Sequence, residues 1–150
     1  MTGSYFDAAH WATVGLTVGL VLACVLLHYE TMSILTGWLT RLGGMRRRRM
    51  LVLMFVLLSA HVLEIWIFGA GLFGLAQIHG TGWVAGHGPH GLPDYVYFSA
   101  VVYSTLGLGD LVPVGAIRFL VGTEALAGFA LLTWSASFTF LEMQRFWKTA

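Results

Sequence analysis

The chain has 150 residues, of which 57% are apolar and only 10% charged, with a net charge of +1. A length of this order suits one domain, and a soluble domain carries about 25% charged residues. Too few charges remain to cover a water-facing surface, which argues against a soluble globular protein and for an integral membrane protein. Four of the eight basic residues form one run, Arg46 to Arg49. Apolar segments bound that run, so it suits the cytoplasmic end of a helix rather than a nucleic acid, and no nucleic-acid partner is expected. Cys24 is the single cysteine and lies in an apolar stretch. It has no internal disulfide partner and reads as a small buried hydrophobe.

The first apolar stretch begins near Ala8. Residues 1–10 contain no Lys or Arg, so the basic region of a cleaved signal peptide is missing and a retained helix is expected. Trp11 to Leu27 is apolar apart from two threonines, and at about 1.5 Å per residue it nearly spans a hydrocarbon core of about 30 Å. His28 to Leu42 reads as an amphipathic extension into the cytoplasmic interface, ended by Gly43-Gly44. Residues 1–49 thus form an N-terminal helical unit, and residues 50–150 a second unit.

Met50 to Leu75 is the second long apolar stretch, with His61 and Glu64 near its middle. Residues 76–94 are rich in Gly, His and Pro and read as a loop. Tyr95 to Tyr103 is apolar and aromatic but too short to cross a bilayer. Pro93-Asp94 supplies a helix start before it. Leu-Gly-Leu-Gly-Asp follows, a poor helix former. A short helix followed by irregular backbone at membrane depth predicts a re-entrant hairpin, tolerated only where it is buried in protein or lines a water-filled path. Phe119 to Leu141 is the third spanning stretch, closed by Glu142, Arg145 and Lys148. Placing the basic run and this end inside gives an outside N-terminus, a cytoplasmic C-terminus and a multi-pass protein of the cell membrane. No helix carries Arg or Lys at every third residue, so no voltage sensor of the usual kind is expected. The stretch after Leu141 is too short for a cytoplasmic ligand-binding domain. The expected fold is all-α: three transmembrane helices plus a re-entrant pore helix and its loop.

The segment Thr105-Leu106-Gly107-Leu108-Gly109-Asp110 carries the chemistry. A dehydrated monovalent cation needs a stack of oxygens that replace its water shell yet release it. Backbone carbonyls serve if successive ones face one axis, and alternating glycines permit this because glycine accepts positive φ. The short aromatic helix before the segment, the spanning stretches on both sides, and Asp110 and Pro113 after it make the pattern specific. In these residues the chain resembles the potassium-channel pore family, whose signature is Thr-Val-Gly-Tyr-Gly-Asp. The resemblance covers residues 50–141, and Tyr97-Phe98-Ser99 is similar to the aromatic pair and serine of the family's pore helix. The whole chain resembles small bacterial channels with one helix ahead of this pore module.

The resemblance implies passive potassium conduction, with K+ held by the carbonyls of Thr105, Leu106, Gly107 and Leu108 and by the Thr105 hydroxyl. Gly109 completes the filter. It also implies a homotetramer, because one hairpin supplies a quarter of an oxygen ring. The partners implied are other copies of the chain, potassium ions and membrane lipid, with no cofactor beyond the permeant ion. The family's filter tyrosine is replaced by Leu108, and its pore-helix Trp and Thr by Phe98 and Val102. Packing of Leu108 against Phe98 and Val102 is expected to replace a hydrogen-bonded cuff. A softer wall of this kind raises a weakly selective cation channel as the alternative. Val101 stands where some members place a Glu that pairs with the aspartate, so Asp110 reads either as bonded to the Tyr97 or Tyr95 hydroxyl or as a solvated carboxylate at the outer mouth, attracting cations either way.

Gly128 and Arg118 match family positions if the linker after Pro113 is one residue shorter. Gly128 then reads either as a gate hinge or as a small-residue packing contact. Glu124, an ionisable group at membrane depth, is expected behind the filter. His61 and Glu64 lie at i, i+3 on one helix face. They read as a polar clamp between the second and third spanning helices, a proton relay, or part of a metal site, although two ligands alone make no zinc site. His79, His87 and His90 read as solvated loop histidines, or as sensors of metal or pH. Ser135, Ser137 and Thr139 read as pore-lining hydroxyls or as groups bonded to their own helix. An enzyme is not expected, since no nucleophile–base pair or phosphate-binding motif is present. The rival from another class is a membrane redox or metal-binding subunit with His61, Glu64 and Glu124 as ligands.

Overall fold

In a computed structural model of the protein, residues 8–41, 46–86 and 91–148 are described. The elements in chain order are α1 (Ala8–Arg41), α2 (Arg46–Ala76), β1 (Trp83–Gly86), α3 (Leu92–Tyr103), β2 (Leu111–Val114) and α4 (Arg118–Lys148). Gly43-Gly44, His87 and His90 lie outside the described residues. The molecule is mostly helical rather than all-α, since β1 and β2 pair. Helices α1, α2 and α4 contain the spans Ala8–Leu39, Arg48–Ala76 and Arg118–Arg145, each long and apolar enough to cross a membrane.

Helix α1 is continuous over 34 residues, about 51 Å at 1.5 Å per residue. The expected interfacial extension from His28 is therefore the second half of one long helix, and His28 is fully buried. Leu20 of α1 lies against Gly71 of α2, where an added Cβ would come within 2.4 Å of Leu20 Cδ1. Toward the other end of the pair, Met32, Leu35 and Leu39 pack with Leu53 and Leu57. These contacts run the two helices antiparallel. Many large apolar side chains stay exposed on the three long helices, among them Leu26, Ile34, Phe55, Leu58, Leu126 and Phe129. Apolar surface on that scale needs lipid or another chain to cover it.

Helix α3 sits in the main core between α2 and α4. Its start uses Pro93 in the first turn, where the missing N–H costs nothing. The Asp94 carboxylate accepts the Gly91 N–H at 3.1 Å, satisfying a donor that the helix itself leaves free. Two glycines let its neighbours approach. A Cβ on Gly69 of α2 would lie 2.8 Å from Val96 Cα, and one on Gly128 of α4 would lie 2.2 Å from the Tyr103 carbonyl oxygen. Phe68, Leu72, Phe98, Tyr103 and Leu120 close the cluster around α3.

The stretch expected as a loop, 76–94, contains a strand. β1 pairs antiparallel with β2 in the register Trp83↔Val114 to Gly86↔Leu111. Burial of Val84 anchors it. Gly82, at a φ of +115°, approaches so closely that a Cβ would fall 2.0 Å from the Val114 carbonyl oxygen. Thr81 fixes the entry to the strand: its hydroxyl donates to the Ile78 carbonyl at 2.8 Å, and its own carbonyl accepts the Ile117 N–H at 2.9 Å. The ribbon thereby ties the end of α2 to the start of α4 across the chain that leaves residue 110.

Gly128→Ala should displace the end of α3, because the added methyl meets backbone rather than a movable side chain. The expected cost is about 1–3 kcal/mol from overpacking, read as a fall in thermal melting temperature. Gly122→Ala on the same helix meets nothing within 4 Å and should leave the melting temperature unchanged or slightly higher.

Candidate functional site

Beyond α3 the backbone turns over the helix end. The Thr105 N–H donates to the Val102 carbonyl at 2.9 Å, and the Leu106 and Gly107 N–H groups share the Val101 carbonyl at 3.0 and 3.3 Å. The last-turn carbonyls, which a helix cannot satisfy itself, are thus met by the segment that follows. Thr105, Gly107 and Gly109 have φ of 59°, 60° and 79°, while Leu106 and Leu108 are not left-handed. Positive φ alternates along the segment. Glycine adopts it without strain, but a β-branched residue does not, so Thr105 is a strained position of the kind that collects at functional sites.

Leu106 and Leu108 project away from the chain, 64% and 58% exposed. Phe98 is only 4% exposed and belongs to the core around α3. Val101 is buried and Val102 half-buried. Phe98 thus packs in the core of its own chain, with Val102 against it, while Leu108 keeps more than half of its surface exposed. Asp110 is held by the Tyr97 hydroxyl, which donates to Oδ2 at 2.8 Å. That bond to a carboxylate holds the Tyr97 phenol above its ordinary pKa.

Glu124 of α4 lies against α3, fully buried. Its Oε1 accepts the Ser99 hydroxyl, and Ser99 Oγ is also 2.9 Å from the Ile65 carbonyl oxygen. Glu124 Oε2 has no hydrogen-bond partner among the described residues. Glu142, by contrast, is bonded to Arg145 Nη1 at 2.7 Å. It too is buried, although the sequence places it at a wet helix end, because it faces inward while Arg145 reaches solvent.

A second polar cluster crosses the bundle. Glu64 Oε1 accepts His28 Nδ1 at 2.9 Å. Glu64 Oε2 accepts His61 Nδ1 at 3.0 Å and the Tyr103 hydroxyl. Tyr103 Oη is also 2.9 Å from His61 Nδ1. On the far side, His61 Nε2 and His28 Nε2 converge on Ser135 Oγ at 3.0 and 3.2 Å. One cluster thus joins α1, α2, α3 and α4, a wider clamp than a pair between two helices. His28, Tyr103 and Ser135 escape sequence reasoning as members of it. The usable signal for His28 is its place on the apolar face Cys24–His28–Met32–Leu35, all four buried. Glu124 does not join His61 and Glu64, so the expected ligand set of the metal-binding rival is not formed. His79 is exposed at the end of the molecule that carries the strands.

Ser99→Ala removes the one donor that Glu124 has among the described residues. Stability should fall by about 1–3 kcal/mol, the cost of stranding a buried acceptor. Thr123→Ala, which removes only a hydroxyl bonded to its own helix, should change it by less than about 0.5 kcal/mol. Melting temperatures of the two variants in one detergent measure the contrast.

A family model described as an ion channel matches residues 51–145. Nothing among curated proteins matches the chain, and nothing among solved structures does. The matched stretch takes in most of α2, the β1–β2 ribbon, α3, the alternating segment and nearly all of α4, and three helices of the chain are fit to span a bilayer. The chain is a multi-pass membrane protein and belongs to this potassium-channel-like ion-channel family.

Proposed function

We propose that the chain is one subunit of a homotetrameric channel that passes potassium ions through the backbone of residues 105–109. The observation that carries this reading is the alternation of left-handed φ at Thr105, Gly107 and Gly109. In an extended strand successive carbonyls point to opposite sides. Alternating left- and right-handed residues instead align successive amide groups on one side, as in backbone nests, and present the carbonyls together on the other. A ring of such carbonyls replaces an ion's hydration shell, and potassium channels are themselves the standard example of that chemistry. The protein is then a passive conductor and not an enzyme.

Several features support the rest. Helix α3 has 12 residues, about 18 Å, too short to cross the bilayer and suited to a re-entrant pore helix. Its C-terminal end, the negative end of the helix dipole, faces the filter base and favours a cation there. A single chain supplies one strand of carbonyls, so a closed ring requires four copies about an axis. Exposed Leu106, Leu108, Leu126 and Phe129 offer apolar surface for those neighbours. Val101 serves through its carbonyl, Phe98 and Val102 through packing, and Glu124 through Ser99 behind the filter. Asp110, bonded to Tyr97, places a carboxylate at the mouth, where it raises the local concentration of cations. Gly128 acts as a packing contact with Tyr103 rather than as a hinge. The run Arg46–Arg49 and the end of α4 belong to the opposite end of the bundle from the filter mouth, and the basic run supports reading that end as the cytoplasmic one of a cell-membrane protein.

A weakly selective cation channel is the second reading, favoured by the missing hydrogen-bonded cuff: Leu108 offers no hydroxyl, and Phe98 is committed to the core of its own chain. Reversal potentials in planar bilayers decide between the two. Under opposed potassium and sodium gradients they should follow potassium. A reversal midway between the two ions identifies the weakly selective channel, and no cation current from reconstituted tetramer overturns both readings. Native mass spectrometry should show four copies of 16.4 kDa, and a stable dimer as the sole assembly counts against the ring. Gly107→Ala and Gly109→Ala should abolish the current while the helices stay folded. Neither new Cβ meets an atom within 4 Å, but left-handed φ costs an L-residue about 1–2 kcal/mol and releases the carbonyl from the axis. Unchanged single-channel current in either variant would exclude this filter.

A further inference from the structure

We propose that His28, His61 and Glu64 form a binding site for one divalent transition-metal ion of the zinc class at the centre of the helix bundle. The ligand atoms of these three residues lie within 4.8 Å of one another, and all three residues are buried. Two imidazoles and a carboxylate are a nitrogen–oxygen set suited to zinc and its neighbours, and three protein ligands leave a fourth position open. Around a tetrahedral ion with bonds of about 2.0–2.1 Å, adjacent ligand atoms stand about 3.3 Å apart. His28 Nδ1 and His61 Nδ1 already stand 2.9 and 3.0 Å from the two oxygens of Glu64. Insertion of an ion needs each pair to part by a few tenths of an ångström.

Proton counting adds an independent argument. With both histidines neutral and their Nδ1–H groups donating to Glu64, both Nε2 lone pairs face Ser135 Oγ. A serine hydroxyl has one proton and serves one of them, so in this tautomer, the one that gives Glu64 both Nδ1–H donors, the metal-free cluster is one donor short. A metal held at both Nδ1 atoms moves each imidazole proton to Nε2. Ser135 Oγ, with two lone pairs, then accepts both, and no ring nitrogen is left unpaired. This is the outer shell that metal-bound histidines usually have, a second ring N–H given to an oxygen. The Tyr103 hydroxyl donating to Glu64 supplies the corresponding support for the carboxylate. The partners of Glu64 in the cluster are two imidazoles and a phenol, none of them permanently charged, so a cation also offsets a carboxylate at membrane depth.

An approach exists. His61 and Ser135 help line a groove of about 430 Å³ between α2 and α4, so the cluster is not sealed from outside. Tyr103 ends α3, two residues before Thr105. The metal site does not rest on the channel reading.

The test uses the full chain in detergent with Co2+ as a visible probe and Zn2+ as competitor. One Co2+ per chain should bind with the visible bands of a four- or five-coordinate ion, Zn2+ should displace it, and Zn2+ should raise the melting temperature. His28→Gln and Glu64→Gln should abolish those bands. Ser135→Ala, which keeps all three ligands, should weaken binding about 10–100-fold. Substituting His79, His87 and His90 together by Gln should leave binding unchanged. Absence of the bands in the parent protein overturns the site, as does binding that survives His28→Gln but is lost with the three loop histidines. If His28→Gln and Glu64→Gln do not fold, Ser135→Ala decides, and parent-like affinity in that variant also overturns the proposal.

Discussion

A carboxylate at the centre of a membrane bundle has to be met by donors from the protein, because no water reaches it at low cost. Glu64 imposes that requirement here. His28 meets it from α1, His61 from its own helix and Tyr103 from α3, with Ser135 of α4 linking the two rings behind. Removing one partner strands the rest, so the four elements are fixed in register by one side chain. Apolar packing in a bilayer does not do this alone, since lipid tails are as apolar as leucine. The glycines complete the arrangement. Gly71, Gly69 and Gly128 remove side-chain bulk where α1, α3 and α4 have to approach closely.

Spanning stretches, the basic run and the short helix before the Gly-x-Gly segment are legible in the sequence because each depends on local composition and length. The partner of Asp110 is legible in part: Tyr97, less than two helical turns before the end of α3, is one of two tyrosines within reach, and a solvated carboxylate reads equally well. Position in three dimensions is not. His28 follows an apolar run and precedes polar residues, so local composition assigns it to the interface, whereas the facing Glu64 draws it into the core. The ribbon of β1 and β2 hides behind glycine-rich sequence because its strands have four residues each, too few for an alternation to be seen.

Thr105 carries information that composition does not hold. Glycine at 107 and 109 permits left-handed backbone, but threonine at 105 does not favour it, and the surrounding contacts have to enforce it. Those contacts are the amide groups of Thr105, Leu106 and Gly107 bonded back to Val102 and Val101. The end of α3 therefore does two things at once. It completes its own carbonyls, and it sets the conformation from which the alternation begins.

The two polar sites meet at that same point. Tyr103 donates its hydroxyl into the Glu64 cluster, while its backbone carbonyl is pressed against Gly128. Ser104 and Thr105 follow directly. Ser99, one turn earlier on α3, holds Glu124 and touches the carbonyl of Ile65, the residue after Glu64. Any shift of the Glu64 cluster moves the Tyr103 ring, and the close backbone contact with Gly128 leaves that residue little room to pivot without moving the start of the 105–110 segment. Coupling of this kind needs no long pathway, because a packed contact and a hydrogen bond belong to the same residue. The bundle centre and the 105–110 segment are therefore best treated as one mechanical unit, with Tyr103 as the shared part.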